Sequence, residues 1–326
     1  WDQAEIPVIL YNEEYAFLTG ISVFPPDGWK TIRSNQQRGT AWEIVPDDDF
    51  QGQPYYRQVL SPGITPQAFT VKVGETFAGS MTTLEYYPIM MHMQLQDGLP
   101  DFVEPLFPFR FYINALLGSS DQYISAILHE EAHAYQGLSA LNRLVAGEQA
   151  SFDFEKLYPW EDTKLRGNWE SELAVLAQAL RAKSNEEAQL LVQEFLQIRN
   201  DRRNSARLSV ELIEFERQRE WVEGIARYAE ISVYRLAHER VGYSPVLEIL
   251  DDPDFHYYEN FDQRWQREID QMKRMAKDKS EGRFYYTGMA QAVLLDRLVP
   301  GWKSHLFDPD IWLEDLLKQA LSSAKK

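Results

Sequence analysis

The sequence predicts an α+β fold: a β-rich N-terminal portion, residues 1–118, packed on a mainly helical C-terminal portion, residues 119–326. Three observations predict it. Before residue 118, Pro, Gly and aromatic residues punctuate short runs of strand-forming residues. After it, apolar residues recur at helical spacing in stretches rich in Glu, Arg, Gln and Leu. The chain has 326 residues, 44% of them hydrophobic and 13% aromatic, enough to bury a large core.

Taken in order, Ile6–Tyr11 and Ala68–Val73 read as strands, as does Met81–Leu95 with its Leu84, Tyr86, Ile89 and Met91. Pro88 assigns part of that last run to an edge or a bulge. The Pro-rich piece Leu99–Phe109 reads as a connector. Ser119-Ser120-Asp121 is an N-cap cluster that opens a helix over Ser120–Tyr135, with a stop at Gly137. Trp169–Lys183 carries Leu173, Leu176 and Leu180 on one helical face. Asn185–Ala237 holds two helices, and Thr287–Leu298 and Asp310–Ala320 one each. Gly224 inside a helix costs about 1 kcal/mol relative to Ala, so it needs a packing or functional reason.

Composition narrows the function. Thirty-three Lys and Arg against 50 Asp and Glu give a net charge of −17, which repels phosphate backbones and anionic lipid and argues against nucleic acid as a partner. The basic run Arg202, Arg203 and Arg207 reads as a solvated helix face. There is no cysteine, so any metal must be held by His, Asp and Glu. No stretch reaches the roughly 18–20 apolar residues that span a bilayer, so no membrane insertion is expected. The chain opens on Trp1 without an initiator Met, which points to a removed leader or a trimmed chain and to an extracytoplasmic or secreted protein. Phosphate-binding glycine loops, G-x-G-x-x-G and G-x-S-x-G are absent.

One motif carries chemistry. His129-Glu130-Glu131-Ala132-His133 matches H-E-x-x-H. On a helix, positions i and i+4 lie about 40° apart around the axis, so two imidazoles share one ion. Zinc accepts neutral imidazole and keeps a position for water, and Glu130 is placed to take that water's proton. Ile124, Ile127, Leu128, Ala132 and Ala134 surround the motif with apolar residues, and buried polar groups need partners that a metal supplies. A third ligand must come from another element. His92, His238, His256 and His305 remain, with many carboxylates. The best context is Trp221–Glu230, where Glu223 precedes Gly224 and Ala226, small residues that let helices approach closely. Glu223 and Glu230 lie two turns apart on one face, which suits Glu223 as a ligand and Glu230 as a support for a ligand histidine. The alternatives are a solvated Glu beside a packing Gly, or Glu170 or Glu172 as the third ligand.

These segments together resemble the gluzincin metallopeptidases, in particular aminopeptidase N-like and glycyl aminopeptidase-like catalytic domains. In those families the Glu before the Gly is the third zinc ligand, which implies that role for Glu223. Tyr285-Tyr286-Thr287-Gly288-Met289-Ala290 is similar to a further family element, whose first Tyr stabilises the oxyanion, which implies that role for Tyr285. A phenol beside zinc suits the role physically; the alternative is a Tyr packing at a helix start. The resemblance implies a zincin-like helical portion, bound Zn²⁺, Glu130 as general base and a peptide or protein substrate. Two departures qualify it. Glu223 follows His133 by 90 residues, against a short gap in the aminopeptidase N-like group, so a helical insertion over about 150–215 is expected. The G-x-M-E-N element that captures a free amino terminus is missing, since Gly79-Ser80-Met81 is followed by Thr82-Thr83. Met81–Leu95 or Phe109–Ile113 is either an edge strand that receives substrate by strand addition or an internal strand. The competing reading of the chain is a zinc-binding peptide-recognition or scaffold module without catalysis.

Overall fold

Alternating burial along Val8–Tyr11 (β1) and Tyr15–Thr19 (β2) marks strands with one face turned to a core. The computed structural model describes residues 5–50, 52–60, 69–97, 119–256, 258 and 261–323. It adds Trp29–Thr31 (β3), Gln37–Arg38 (β4), Glu43–Ile44 (β5), Tyr56–Val59 (β6), Phe69–Val73 (β7) and Thr76–Thr82 (β8). Among the described residues these form one eight-stranded sheet in the order β4-β3-β7-β8-β1-β2-β6-β5, so the N-terminal part is β-rich as expected. The β1–β8 pairing is parallel and the others are antiparallel. Register sends Ile9, Leu18, Tyr56 and Val71 to one face, where Trp29 and Trp42 complete a hydrophobic core.

The opposite face carries the helix that matters. Register pairs Thr70 with Gly79 and Lys72 with Phe77, and the helix Ser120–Phe154 (α2) lies over this side. A Cβ on Gly79 would come within 2.9 Å of the Glu130 carbonyl carbon. The first helical stretch passes the expected stop at Gly137 by three residues and breaks at a kink at Ala140, whose backbone is not helical; a second helical stretch then runs on to Phe154. Phe77 passes Gly137 at 2.9 Å from where a Cβ would stand, so only glycine fits there.

A second correction concerns Met81–Leu95. The strand ends at Thr82, and Tyr86–Asp97 is a helix (α1). The Thr83 hydroxyl accepts from the Tyr86 N–H at 3.3 Å, the pattern of an N-cap. Pro88 then falls in the first turn, where a missing N–H is tolerated. Leu99–Phe109 and Phe109–Ile113 lie outside the described residues.

The chain forms two compact units, Trp1–Leu138 with Arg240–Glu259, and Ser139–Glu239 with Asn260–Lys326. In the second, helices run Thr163–Arg181 (α3), Asn185–Ser205 (α4), Val210–Arg219 (α5), Ile225–Glu239 (α6), Phe261–Met275 (α7), Gly282–Leu298 (α8) and Leu313–Ser323 (α9). Asp162, Ser184 and Ser209 cap α3, α4 and α5 through their side-chain oxygens, each worth about 1 kcal/mol. A π-helical segment, Glu220–Gly224, joins α5 to α6 without a break, so Asn185–Ala237 is two helical rods. Helix α8 is central, packing on α3, α6, α9 and the π segment.

The solvated face expected for Arg202 and Arg203 is also corrected. Arg202 is fully buried between Glu172 and Glu216, and Arg203 between Glu216 and Glu314. Arg199, also buried, joins Glu172, Glu220 and Glu314. Each charge is tolerated because its partner neutralises it and satisfies its hydrogen bonds. Arg207 alone is exposed.

Candidate metal centre

The helix α2 presents the two histidines as the i, i+4 spacing requires. The rings of His129 and His133 meet edge to face with centroids 4.8 Å apart. Their Nε2 atoms are 3.2 Å apart. His133 Nδ1 lies 2.8 Å from Gln136 Oε1. An amide oxygen only accepts, so Nδ1 carries the proton and Nε2 offers its lone pair. Sequence reasoning missed Gln136; its signal was the i+3 spacing from His133 on the same helix. The Thr70 hydroxyl donates to the Glu130 carbonyl at 3.4 Å. With Gly79 against the same residue, sheet and helix are fixed to each other at the motif. Burial pushes the Glu131 carboxyl up to about 7.

Glu223 lies in the π segment, buried, with its Oε1 2.5 Å from Arg219 Nη2. Such π insertions recur at functional sites because the extra residue re-aims a side chain. Gly224 explains its own presence. A Cβ there would overlap Gly288 Cα and come within 2.8 Å of the Gly288 carbonyl carbon. Gly288 in turn faces the Glu220 carbonyl, so this helix and α8 cross backbone to backbone. Glu220 accepts from Arg199, the Thr287 hydroxyl and Gln291, which holds the segment from below. Tyr285, on α8, hydrogen-bonds to Glu223; burial and then that carboxylate raise its pKa. Glu230 is paired with Arg227 at 2.6 Å and Arg264 at 2.5 Å, and His133 Nδ1 is held by Gln136.

Among the described residues, His129, His133 and Glu223 form a group that could hold a metal ion, with one ligand atom from each and all within 4.8 Å of one another. Glu172 is instead taken up by Arg199 and Arg202, and Glu170 is exposed. His305 pairs with Asp308 at 2.9 Å, and the His238 ring lies near Phe261. Comparison with protein-family models returned no match, and comparisons with curated proteins and with solved structures returned no significant match. No helix among the described residues is long and apolar enough to cross a membrane.

Proposed function

We propose that this protein is a zinc-dependent metallopeptidase of the gluzincin kind. The observation that carries the reading is the grouping of His129, His133 and Glu223, two imidazole nitrogens and a carboxylate oxygen. The donors fit the ion. The tautomer fixed by Gln136 aims the His133 lone pair toward His129 Nε2, and two imidazoles with one carboxylate are a ligand set zinc accepts while keeping a position open. When bound, zinc supplies a Lewis acid that polarises a carbonyl and acidifies water.

The chain's own groups do the rest. Glu130 accepts the water proton and delivers it to the leaving amine. The Tyr285 hydroxyl, which donates to Glu223 in the free protein, turns from it to donate to the carbonyl oxygen as negative charge develops there. The missing Glu-Asn after Met81 removes support for capture of a free amino terminus. Strand β8, which holds Gly79 to Thr82, lies between β7 and β1, so no substrate strand adds beside it. The substrate class proposed is a peptide or protein.

Metal analysis with a mixed-peptide cleavage assay tests this. One equivalent of zinc, lost in His133→Ala, is expected together with cleavage that Glu130→Gln abolishes while zinc is retained. Wild-type protein without stoichiometric zinc refutes the reading. Bound zinc with no cleavage of any peptide replaces it with the binding-module reading.

A further inference from the structure

Arg219 closes α5, immediately before the π segment, and is only 4% exposed. Its guanidinium is fixed from several directions. Nε lies 2.8 Å from Glu281 Oε2, and Nη1 lies 3.1 Å from Glu148 Oε1 and 3.3 Å from the Gly147 carbonyl. Nη2 reaches Glu223 Oε1 at 2.5 Å. Burial opposes the Arg219 charge, but Glu223, Glu281 and Glu148 outweigh it and keep the group cationic. A planar fork hydrogen-bonded at Nη1 and ion-paired with Glu281 leaves Nη2 little freedom, so the partner of Nη2 is held in turn.

We infer that Arg219 is a positioning residue that locks the Glu223 carboxylate in the orientation in which it serves as a metal ligand. This rests on the metallopeptidase reading above. Two features of the chain support it. The lock spans the π insertion, from the residue before it to Glu223 within it, so it fixes the stretch whose backbone departs from α-helix. Glu223 also accepts from the Tyr285 hydroxyl, so its carboxylate is held from a second element, α8, as well as by Arg219. Partners of metal ligands commonly set affinity by about 10–100-fold, which is the size of effect expected here.

Zinc affinity of the full chain, measured by competition with a chromophoric chelator, tests the assignment. Arg219→Gln is expected to weaken zinc binding by about 10–100-fold. Arg203→Gln is the structural control, since it breaks an equally buried arginine network that touches none of the three ligands. It is expected to lower thermal stability and leave zinc affinity within about twofold, because only the partners of a ligand orient it. Wild-type affinity in Arg219→Gln, or an equal loss in Arg203→Gln, overturns the inference. Where Arg219→Gln does not fold, Arg219→Lys takes its place. Its ammonium keeps the charge without the fork, a loss of about threefold to tenfold is expected, and unchanged affinity overturns the inference. Glu223→Gln separates the two levels. A loss there with none in the Arg219 variants defeats the lock alone, whereas no loss in Glu223→Gln, or no zinc in the wild type, defeats the metal reading beneath it.

Discussion

Adding one methyl group at Gly224 probes how the Glu223 segment is held, and the size of the effect follows from the backbone crossing. A Cβ at Gly224 would stand 2.8 Å from the Gly288 carbonyl carbon and 3.0 Å from the Met289 nitrogen. The Gly288 Cα is closer still, and carbon contacts sit near 3.5–4.0 Å, so the helices must part by about 1–1.5 Å. Both neighbours are backbone and cannot rotate away. Overpacking of this kind costs about 3 kcal/mol, the upper end of its range, and helix propensity returns about 1 kcal/mol for Gly to Ala. The net loss is about 2 kcal/mol. A 326-residue chain unfolds with roughly 0.7 kcal/mol/K of entropy, so the melting temperature should fall by about 3 °C. Gly167 provides the control. It lies inside α3 with nothing within 4 Å of a Cβ, so Gly167→Ala should stabilise by about 0.5–1 kcal/mol and raise the melting temperature by about 1 °C. Differential scanning calorimetry of both variants reads the contrast directly. If Gly224→Ala melts at or above the wild type, the two helices do not meet backbone to backbone and the reasoning fails.

Further outcomes are expected. Glu130→Gln should lower peptide hydrolysis by about 10²–10⁴-fold with zinc content unchanged, and loss of zinc along with activity would assign Glu130 to metal binding instead. Gln136→Ala should weaken zinc binding by about tenfold or more, because His133 loses the group that fixes its tautomer; calorimetric titration with zinc checks it. Acid stability should follow the buried arginine network. Arg202 and Arg203 overcome burial to hold the Glu216 carboxyl at about 2, below its ordinary value, and Arg203, Arg199 and Arg217 likewise hold Glu314 low. Depressed carboxylates add stability above their unfolded pKa, so that contribution should fade as pH drops from about 4.5 toward 2. Urea melts across that range read it, and a midpoint that stays flat below pH 4.5 contradicts it. Ser209→Ala, which removes the α5 cap, should cost about 1 kcal/mol in the same melts.

The sequence by itself determined the parts governed by local periodicity. Short runs of strand-forming residues placed β1 and β7 close to where they lie, and helical spacing placed α3, α8 and α9 with ends within about six residues. It also determined that His129 and His133 share a helix face, since 3.6 residues per turn leaves i and i+4 adjacent. The small residues after Glu223 announced a close helix approach, which Gly224 and Gly288 make.

Tertiary structure decided what depends on neighbours far along the chain. Met81–Leu95 alternates well enough to resemble a strand, yet Thr83 caps a helix there and Pro88 fits its first turn. Gly137 comes three residues before the kink at Ala140, and it also makes room for Phe77, a residue 60 positions away. Arg202 and Arg203 look solvated because charge normally is, and only the arrival of Glu172, Glu216 and Glu314 from three other helices makes their burial affordable. The same holds for the candidate metal centre. The motif named two candidate ligands, and Arg219 and Glu223 keep a readable i, i+4 spacing, but the π segment that carries Glu223 and the Glu148 and Glu281 carboxylates around Arg219 arise from packing, which no spacing rule encodes.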